Sequence, residues 1–260
     1  MSRALIITAI VLIVAGVVLF TVVMSLNGWD LRKLATVNLI TNEHVVSESF
    51  TNISIDTSTS DIVFALSDNG KCMVICHEDE KEKHSVTVSE GTLTVTVEST
   101  KKWYEHIGIT AETPKITIYL PDREYTSLRI DSTTTDVIIQ KDFSFTSAEI
   151  SVTTGDIRIS ETSAESLTVS VTTGDIELEN VIVRNKLSVK GTTGDVTFNG
   201  CDAGEIFVKL TTGDVKGTLL SEKTFTADTT TGNIDVPKSA SGGKCEIHTT
   251  TGDIKIEYAK

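Results

Sequence analysis

Proline, aromatic residues and positive charge are all scarce in this chain of 260 residues. Its three prolines, with no low-complexity stretch, leave no visible linker inside the main part of the sequence. Aromatic residues make up 5%, which is low for a protein that stacks nucleic-acid bases but normal for a β protein rich in Thr, Val and Ile. With 23 basic and 36 acidic residues, the net charge of −13 lacks the basic footprint of a nucleic-acid-binding protein. Nucleic acid is therefore not an expected partner.

Cysteine is also sparse, and its spacing does not indicate a disulfide framework. Cys72 and Cys76 lie four residues apart in an alternating segment, so they share a strand face about 13 Å apart, too far for a disulfide. Cys201 and Cys245 occupy different places in the repeat described below. We expect all four to be small, buried, apolar residues.

Sequence motifs for catalysis or cofactor binding are missing. There is no G-x-S-x-G, no P-loop and no H-E-x-x-H, which excludes the commonest hydrolase, nucleotide and zinc-protease signatures. Cys72, Cys76, His77 and His84 are close in sequence, but their spacing matches no familiar zinc pattern. The charged run Glu78 to Lys83 is expected to be a solvated loop. We predict a protein that is not an enzyme and has no catalytic residue, no cofactor and no confident metal site.

The one long hydrophobic run is at the N-terminus. Ala4 to Met24 is uncharged, and as a helix it would span roughly 31 Å, enough to cross a bilayer. No convincing Ala-x-Ala cleavage site follows, so residues 1–28 are predicted to be an uncleaved signal anchor with one transmembrane helix, followed by a linker at 29–44. A cleaved signal peptide remains the alternative.

Charge alone does not orient this anchor. Arg3 precedes the span, whereas Arg32 and Lys33 follow it. Long domains translocate with little regard to flanking charge, and an anchor before a long Thr-rich β domain is the usual plan of a surface protein. We therefore predict a single-pass cell-membrane protein whose C-terminal domain is extracellular.

What the chain does have is the phrase Thr-Thr-Gly-Asp, repeated every 19 or 20 residues. The Asp position, with Asn once, advances in steps of 20, 19, 20, 19, 19 and 20. So regular a period predicts a solenoid, in which each repeat is one coil stacked on the last. The residues at this position are Asp136, Asp156, Asp175, Asp195, Asp214, Asn233 and Asp253.

Apolar columns flank this phrase on both sides. They lie eight and six residues before the Asp and one and three residues after it, with mostly polar columns between. Such period-two alternation around a Gly-Asp corner predicts two short strands per coil. We therefore predict an all-β protein, a single-stranded β-helix or β-solenoid. A right-handed coil is favoured because the six-residue periodicity of left-handed β-helices is absent.

One earlier copy of the pattern ends at Asp61. It places Ile53, Ile55, Ile62 and Phe64 in the apolar columns. Asp136 follows 75 residues later, close to four periods, with no clear copy between. We therefore predict one domain over residues 45–260, in which 45–127 form an irregular N-terminal β section that caps the stack and 128–260 form the regular repeats.

Stacking brings the aspartates into a row, and this row is the candidate site. Neighbouring carboxylates would repel by roughly 0.9 kcal/mol per pair in a water-like dielectric. Backbone donors, solvent or a bound cation must offset this repulsion. A calcium ladder is one alternative, although the known calcium-binding nonapeptide repeat has more glycines and half this period. Its ligands would be Asp136, Asp156, Asp175, Asp195, Asp214 and Asp253.

Two segments resemble a known family. They are Leu167-Thr-Val-Ser-Val-Thr-Thr-Gly-Asp-Ile-Glu-Leu178 and Lys115-Ile-Thr-Ile-Tyr-Leu-Pro121, the latter leading into Leu128-Arg-Ile130. Both are similar to the bacterial β-strand-repeat domain of unknown function called "putative adhesin", and the similarity covers about residues 45 to 258. The resemblance implies a β-helix-like solenoid on an exported or membrane-anchored protein, and it supplies no catalytic residues. Some members are associated with envelope-stress regulation.

The expected function is cell-surface adhesion or scaffolding through the ladder faces, with a surface or envelope protein or a glycan as partner. The alternative is an accessory sensor or regulator of the envelope stress response. A polysaccharide-processing β-helix is less favoured, because such chemistry needs one specific carboxylate pair whereas these carboxylates are nearly identical from coil to coil.

Overall fold

The computed structural model describes residues 3–30, 37, 39–102 and 112–259. It divides into two compact units, one comprising Met1–Leu39 with Thr100–Thr113 and the other Ile40–Ser99 with Pro114–Lys260. The first unit contains the helix and the second contains the repeats. Arg32 and Lys33, which bear on the orientation of the predicted anchor, lie outside the described residues.

Helix α1 covers Arg3–Leu26. Within it, the 22 residues Leu5–Leu26 are long and apolar enough to cross a membrane, and none of their most hydrophobic stretch is buried against protein. An apolar surface on every side of a helix is stable only in an apolar environment. A membrane anchor or a signal peptide is therefore the structure that this helix fits.

Within the described residues, the remaining elements are all β-strands. They are β1 Leu39–Val46, β2 Asn52–Thr57, β3 Asp61–Leu66, β4 Cys72–Asp79, β5 Glu82–Ser89, β6 Thr92–Ser99, β7 Lys115–Leu120, β8 Glu124–Thr134, β9 Val137–Ile139, β10 Ser144–Thr154, β11 Ile157–Ser160, β12 Ser163–Thr173, β13 Ile176–Glu179, β14 Ile182–Thr193, β15 Val196–Lys209, β16 Val215–Leu219, β17 Lys223–Thr231, β18 Ile234–Asp235, β19 Gly243–Thr251 and β20 Ile254–Tyr258.

The repeats form a β-solenoid, as the periodicity predicts. Each regular coil has a long strand before the Gly-Asp corner and a short strand after it. Long strands β8, β10, β12 and β14 pair in parallel in that order, and short strands β9, β11 and β13 do the same. The register places equivalent positions of successive repeats side by side: Ile130 lies beside Ile150, and Ile150 lies beside Val169.

The predicted apolar columns fill the interior. At the position six before the Asp, Ile150, Val169 and Val189 are fully buried, and the column one after the Asp is buried in every coil except one. β-Branched side chains suit this setting because they favour extended backbone and pack well on a pleated surface. Each fully buried Val, Leu or Ile contributes about 2 kcal/mol by leaving water. The stacked columns are thus the main source of the solenoid's stability.

The coil that ends at Asp61 stacks directly on the coil that contains Asp136. β2 pairs in parallel with β8, and β3 with β9, so the 75-residue spacing does not correspond to missing coils. The chain between them turns to the outer side of β2 and β3. There β6 and β7 continue the stack, and β4 and β5 add antiparallel strands to it. These antiparallel strands close the edge that a parallel stack would otherwise expose.

Stacking does not follow sequence order at the other end either. β19 lies between β15 and β17, and β20 lies between β16 and β18. The expectation that each coil stacks on the last is therefore wrong for the final two. Side-chain chemistry explains the exchange. Ile234 of the displaced coil is 46% exposed, whereas Cys245, Ile247 and Ile254 of the inserted coil are buried. The coil with the weaker apolar columns occupies the end of the stack, where it has one neighbour instead of two.

Candidate functional site

Glycine at the corner allows the coils to approach closely. Gly174 has a φ of 143°, in the region that L residues rarely adopt. A Cβ atom added there would collide with the carbonyl oxygen of Gly155 in the neighbouring coil. Both constraints exclude other residues, so the Gly of the repeated phrase is required by backbone geometry and by stacking at once.

The aspartates form a continuous hydrogen-bonded ladder. Oδ1 of Asp136 accepts the backbone N–H of Asp156 at 2.8 Å, and Oδ1 of Asp156 accepts that of Asp175 at 2.9 Å. The same bond recurs along the stack with N···O distances between 2.7 and 3.0 Å. In stack order the ladder runs through Asp61, Asp136, Asp156, Asp175, Asp195, Asp214, Asp253 and Asn233.

These bonds explain how the row tolerates its own charge. A backbone N–H aimed at a carboxylate makes a charge-assisted bond that is stronger than one between neutral groups. The second oxygen of Asp156 lies 3.1 Å from the Arg158 guanidinium, and that of Asp195 lies 3.7 Å from the Lys216 ammonium. Backbone donors and these exposed cations together offset the repulsion. Calcium binding by the ladder stays a prediction.

The two ends of the ladder differ from its middle. At one end, burial raises the pKa of Asp61 above its ordinary value, although its Oδ1 accepts the Asp136 N–H at 3.0 Å. At the other end, Asn233 donates both its backbone N–H and its side-chain amide to Oδ1 of Asp253, at 2.7 and 3.3 Å. Asn233 is in the last coil of the stack, where no further N–H needs a carboxylate. The one repeat that lacks Asp is therefore the terminal rung.

One part of the outer face is rich in lysine, although the chain as a whole is acidic. Phe207 of β15 is only partly buried, and the Lys186 ammonium lies 5.9 Å from its ring centroid. The His248 ring approaches the same phenyl ring at 6.3 Å. Lys190 and Lys209 are paired in register, exposed, and without a carboxylate partner among the described residues. We call Lys186, Lys190, Phe207, Lys209 and His248 the Phe207 patch.

Acidic groups border this patch on the neighbouring strands. Lys244 forms an ion pair with Glu246 at 2.6 Å, and His248 lies 3.9 Å from Asp228. These pairs leave Lys190 and Lys209 as the uncompensated charges at its centre. Sequence reasoning missed the patch because its members are spread over residues 186–248, and only the stacking register brings them together.

The structure brings together only two of the four residues considered above for a zinc site. Cys76 and His84 come together, with a third residue, Glu78, beside them. Cys72 and His77 are not part of this group, and the His77 ring lies 3.2 Å from the Thr41 hydroxyl instead. The expectation that Glu78 belongs to a solvated loop is wrong, because its side chain is 1% exposed. The alternation of Cys72, Val74, Cys76 and Glu78 on β4 already placed Glu78 on the buried face.

All four cysteines are free and buried, as predicted. Burial raises the pKa of the Cys72 thiol to about 11 and that of Cys245 to about 12. Burial also raises the pKa of Cys201, whose sulfur lies 3.2 Å from the Leu178 carbonyl oxygen. Such thiols are protonated at neutral pH and are therefore poor nucleophiles.

A buried ammonium anchors the C-terminal layers. Lys223 has a side chain that is 4% exposed, and its Nζ lies 2.6 Å from Oδ1 of Asp202 and 2.6 Å from the Ser221 hydroxyl. Burial alone would raise the pKa of Asp202, but the Lys223 and Ser221 hydrogen bonds outweigh it and hold that pKa below its ordinary value. A buried charge in this position requires its partner.

Comparison with solved structures finds matches of low sequence identity that extend over most of this chain. A "putative adhesin" from Bacteroides fragilis is 19% identical, with a TM-score of 0.49 over 85% of this chain and 97% of that one. A "putative cell adhesion protein" from Clostridium sporogenes is 11% identical, with a TM-score of 0.39 over 85% of this chain and all of that one. No curated protein sequence matches the chain at a significant level.

A family model does match, and it covers most of the chain. It describes the Toastrack domain, a domain of unknown function, and it aligns with residues 50–260. The matched residues include the Asp61 coil, the antiparallel strands at that end of the stack and every Thr-Thr-Gly-Asp corner. The chain therefore belongs to the Toastrack family, DUF4097.

Proposed function

We propose that this protein is a membrane-anchored, extracytoplasmic β-solenoid that serves as a non-catalytic adhesion or scaffold module. Helix α1 is its anchor, uncleaved, and residues 45–260 form the exported domain. The single observation that carries the proposal is the Phe207 patch, a partly buried aromatic ring among lysines that have no carboxylate partner among the described residues, on a long, regular face. The resemblance to adhesin-type domains supports the same role.

The chemistry of the patch favours an anionic partner. An aromatic ring beside lysines offers both apolar contact and charge: aromatic residues are enriched in protein interfaces, and positive charge attracts an anionic partner. The rest of the chain is strongly acidic, so a partner that carries carboxylate or phosphate groups would be steered toward this region and away from the ladder. Acidic glycans and acidic envelope proteins both meet this requirement.

The arrangement of carboxylates supports a non-catalytic role. Carboxylate catalysis needs two groups with different environments and one defined separation. Along the ladder the aspartates repeat the same bond to the same kind of donor. Within the regular repeats, no carboxylate is distinguished from its neighbours by the hydrogen bond that it accepts.

The test displays the full chain on bacterial cells and measures binding to host cells, to an array of neutral and acidic glycans, and to envelope extracts. Phe207→Ala with Lys209→Glu is expected to lower binding at least tenfold. Lys255→Glu is the control for the charge reversal, because it changes another exposed lysine, on β20 on the short-strand face. Equal binding by the patch variant and the control would remove the patch from the function.

The alternative role in envelope-stress regulation is separated by a second measurement. Deletion of the gene is expected to reduce adhesion and leave an envelope-stress reporter unchanged. A changed reporter with unchanged adhesion would replace the adhesion proposal with the regulatory one.

A further inference from the structure

Two ionisable residues break the apolar pattern of the antiparallel strands at the Asp61 end of the stack. On β4 the inward positions are Cys72, Val74, Cys76 and then Glu78, which is almost fully buried. On β5 the inward positions are His84, Val86 and Val88, and His84 is 5% exposed. Glutamate is almost never fully buried unless it is paired or binds a metal. Breaks of this kind in an otherwise consistent pattern tend to mark functional sites.

The two breaks meet in space at a cysteine. The Cys76 sulfur, a carboxylate oxygen of Glu78 and a ring nitrogen of His84 all lie within 4.8 Å of one another. Nδ1 of His84 is 2.6 Å from Oε2 of Glu78. Three different ligand types therefore converge on one point in the protein interior.

Hydrogen bonds from neighbouring strands fix the orientation of these side chains. Oε1 of Glu78 accepts the side-chain amide of Asn42 on β1 at 2.6 Å. Nε2 of His84 lies 3.1 Å from the Thr57 hydroxyl and 3.4 Å from that of Ser60. In metal sites the ligating carboxylate and imidazole are held in this manner, through the atoms that do not touch the ion.

We propose that Cys76, Glu78 and His84 form a binding site for a single divalent metal ion of the zinc type. Thiolate sulfur, imidazole nitrogen and carboxylate oxygen are the three ligand types that zinc takes from proteins. The harder ions Ca²⁺ and Mg²⁺ prefer oxygen ligands alone, so the sulfur argues against them. His84 binds through Nδ1, which leaves Nε2–H to donate to Thr57.

The position of the site gives the ion a structural role. Its ligands and their supporting residues come from β1, β2, β4, β5 and the turn before β3. These are the strands that close one end of the parallel stack. An ion bound only in the folded state stabilises that state by mass action, so metal would fasten this end of the solenoid.

Without metal, a proton between Nδ1 of His84 and Oε2 of Glu78 can bridge the two side chains as a buried hydrogen-bonded pair. This arrangement is the competing explanation for why Glu78 and His84 are inside. The two differ in what they require of Cys76. A proton-bridged pair has no use for the sulfur, whereas a metal site binds it directly.

The experiment uses the purified full chain in detergent, stripped with a chelator and titrated with Co²⁺ as an optical probe, then with Zn²⁺. We expect one ion per chain, a near-ultraviolet charge-transfer band from cobalt–thiolate bonding, its loss when Zn²⁺ displaces Co²⁺, and a higher melting temperature with Zn²⁺. Cys76→Ser should abolish the band and weaken binding by more than about tenfold. Cys245→Ser is the control, because it alters a buried thiol in the inserted C-terminal coil and should leave the band intact.

Glu78→Gln provides a second variant that keeps shape and hydrogen-bonding capacity, and it should weaken Zn²⁺ binding while the chain still folds. No cobalt band together with no change in melting temperature would overturn the proposal and leave a proton-bridged pair. Binding of unchanged affinity in Cys76→Ser would also overturn it, since the ion would then lie elsewhere.

Discussion

The backbone N–H of Asp195 donates a hydrogen bond of 2.8 Å to Oδ1 of Asp175, its equivalent in the adjacent coil. This bond joins two coils through a side chain at the corner, where the regular strand pairing is interrupted. The carboxylate therefore continues the sheet's hydrogen bonding around the bend. It accepts a donor that would otherwise need water.

Asp175 tests whether the ladder needs an acceptor or a charge. Asp175→Ala removes the acceptor of the Asp195 N–H and should lower the free energy of unfolding by about 1–2 kcal/mol. Asp175→Asn keeps a side-chain oxygen and removes one like charge from the row, so the change should stay within about 0.5 kcal/mol. Urea denaturation of both variants measures the difference. Equal losses in the two would mean that the charge itself is needed.

At the end of the ladder, Asn233 allows a negative charge to be added, whereas Asp175→Asn removes one. Asn233→Asp replaces the amide that donates to Asp253 with a second carboxylate at the same place. The variant should be less stable by about 0.5–1 kcal/mol, because repulsion replaces a hydrogen bond. The loss should shrink in high salt, which screens exposed charges. A loss independent of salt would point to geometry instead.

Two separate constraints require glycine at the corner: the positive φ and the close approach of the neighbouring coil. Gly174→Ala should lower the free energy of unfolding by more than about 2 kcal/mol, since it adds a clash with the Gly155 carbonyl to an unfavourable φ. Gly70→Ala is the matched control, because Gly70 has a φ of 67° but no atom near the position of its missing Cβ. The control reports the cost of backbone strain alone, and thermal unfolding gives both values. If the two variants lose the same stability, close stacking is not what selects Gly at the corner.

The buried Lys223–Asp202 pair makes stability depend on pH. The pKa of Asp202 is lowered in the folded chain, so its contribution is fully present above its ordinary value of 3.8 and is lost as pH falls through the lowered folded value. Asp202→Asn should therefore be less stable than the wild type at pH 7, and the gap should narrow in acid. Denaturation at both pH values measures it.

The double change Asp202→Asn with Lys223→Met is the control for this pair. It removes the buried charge along with its partner, and replacement of a whole buried pair by residues of similar volume is often nearly neutral. Its stability should exceed that of Asp202→Asn alone. A double variant that is less stable than the single one would mean that the ammonium contributes through Ser221 and not through Asp202.

Much of the solenoid can be predicted from the sequence because stacking acts on columns. One position of the repeat holds Ile150, Val169 and Val189 in successive coils. A position that stays apolar from coil to coil in a solenoid faces the interior. The same column argument identifies the Asp61 coil through Ile53 and Ile62. Period and polarity together thus predict the coil and its interior.

Coil order and the buried cluster could not be predicted in this way. Ile234 and Ile254 are the same residue at the same position of the repeat, so the sequence does not distinguish their coils. Only the folded stack shows that one coil is at its end and the other is inside it. Glu78 is charged and begins an acidic run, so composition assigns it to solvent, whereas its parity on β4 assigns it to the core. Composition and strand parity thus disagree for Glu78. Its contact with His84 on another strand explains its burial, and the local sequence does not show that contact.

The inserted position of β19 and β20 has a consequence for the order in which the coils fold. Residues 243–258 emerge after residues 223–235, yet they occupy the layer that joins that coil to the rest of the stack. Vectorial folding, one coil at a time as the chain emerges, can therefore proceed only as far as β16. The last two layers have to form together, as one cooperative unit, once β19 and β20 are available.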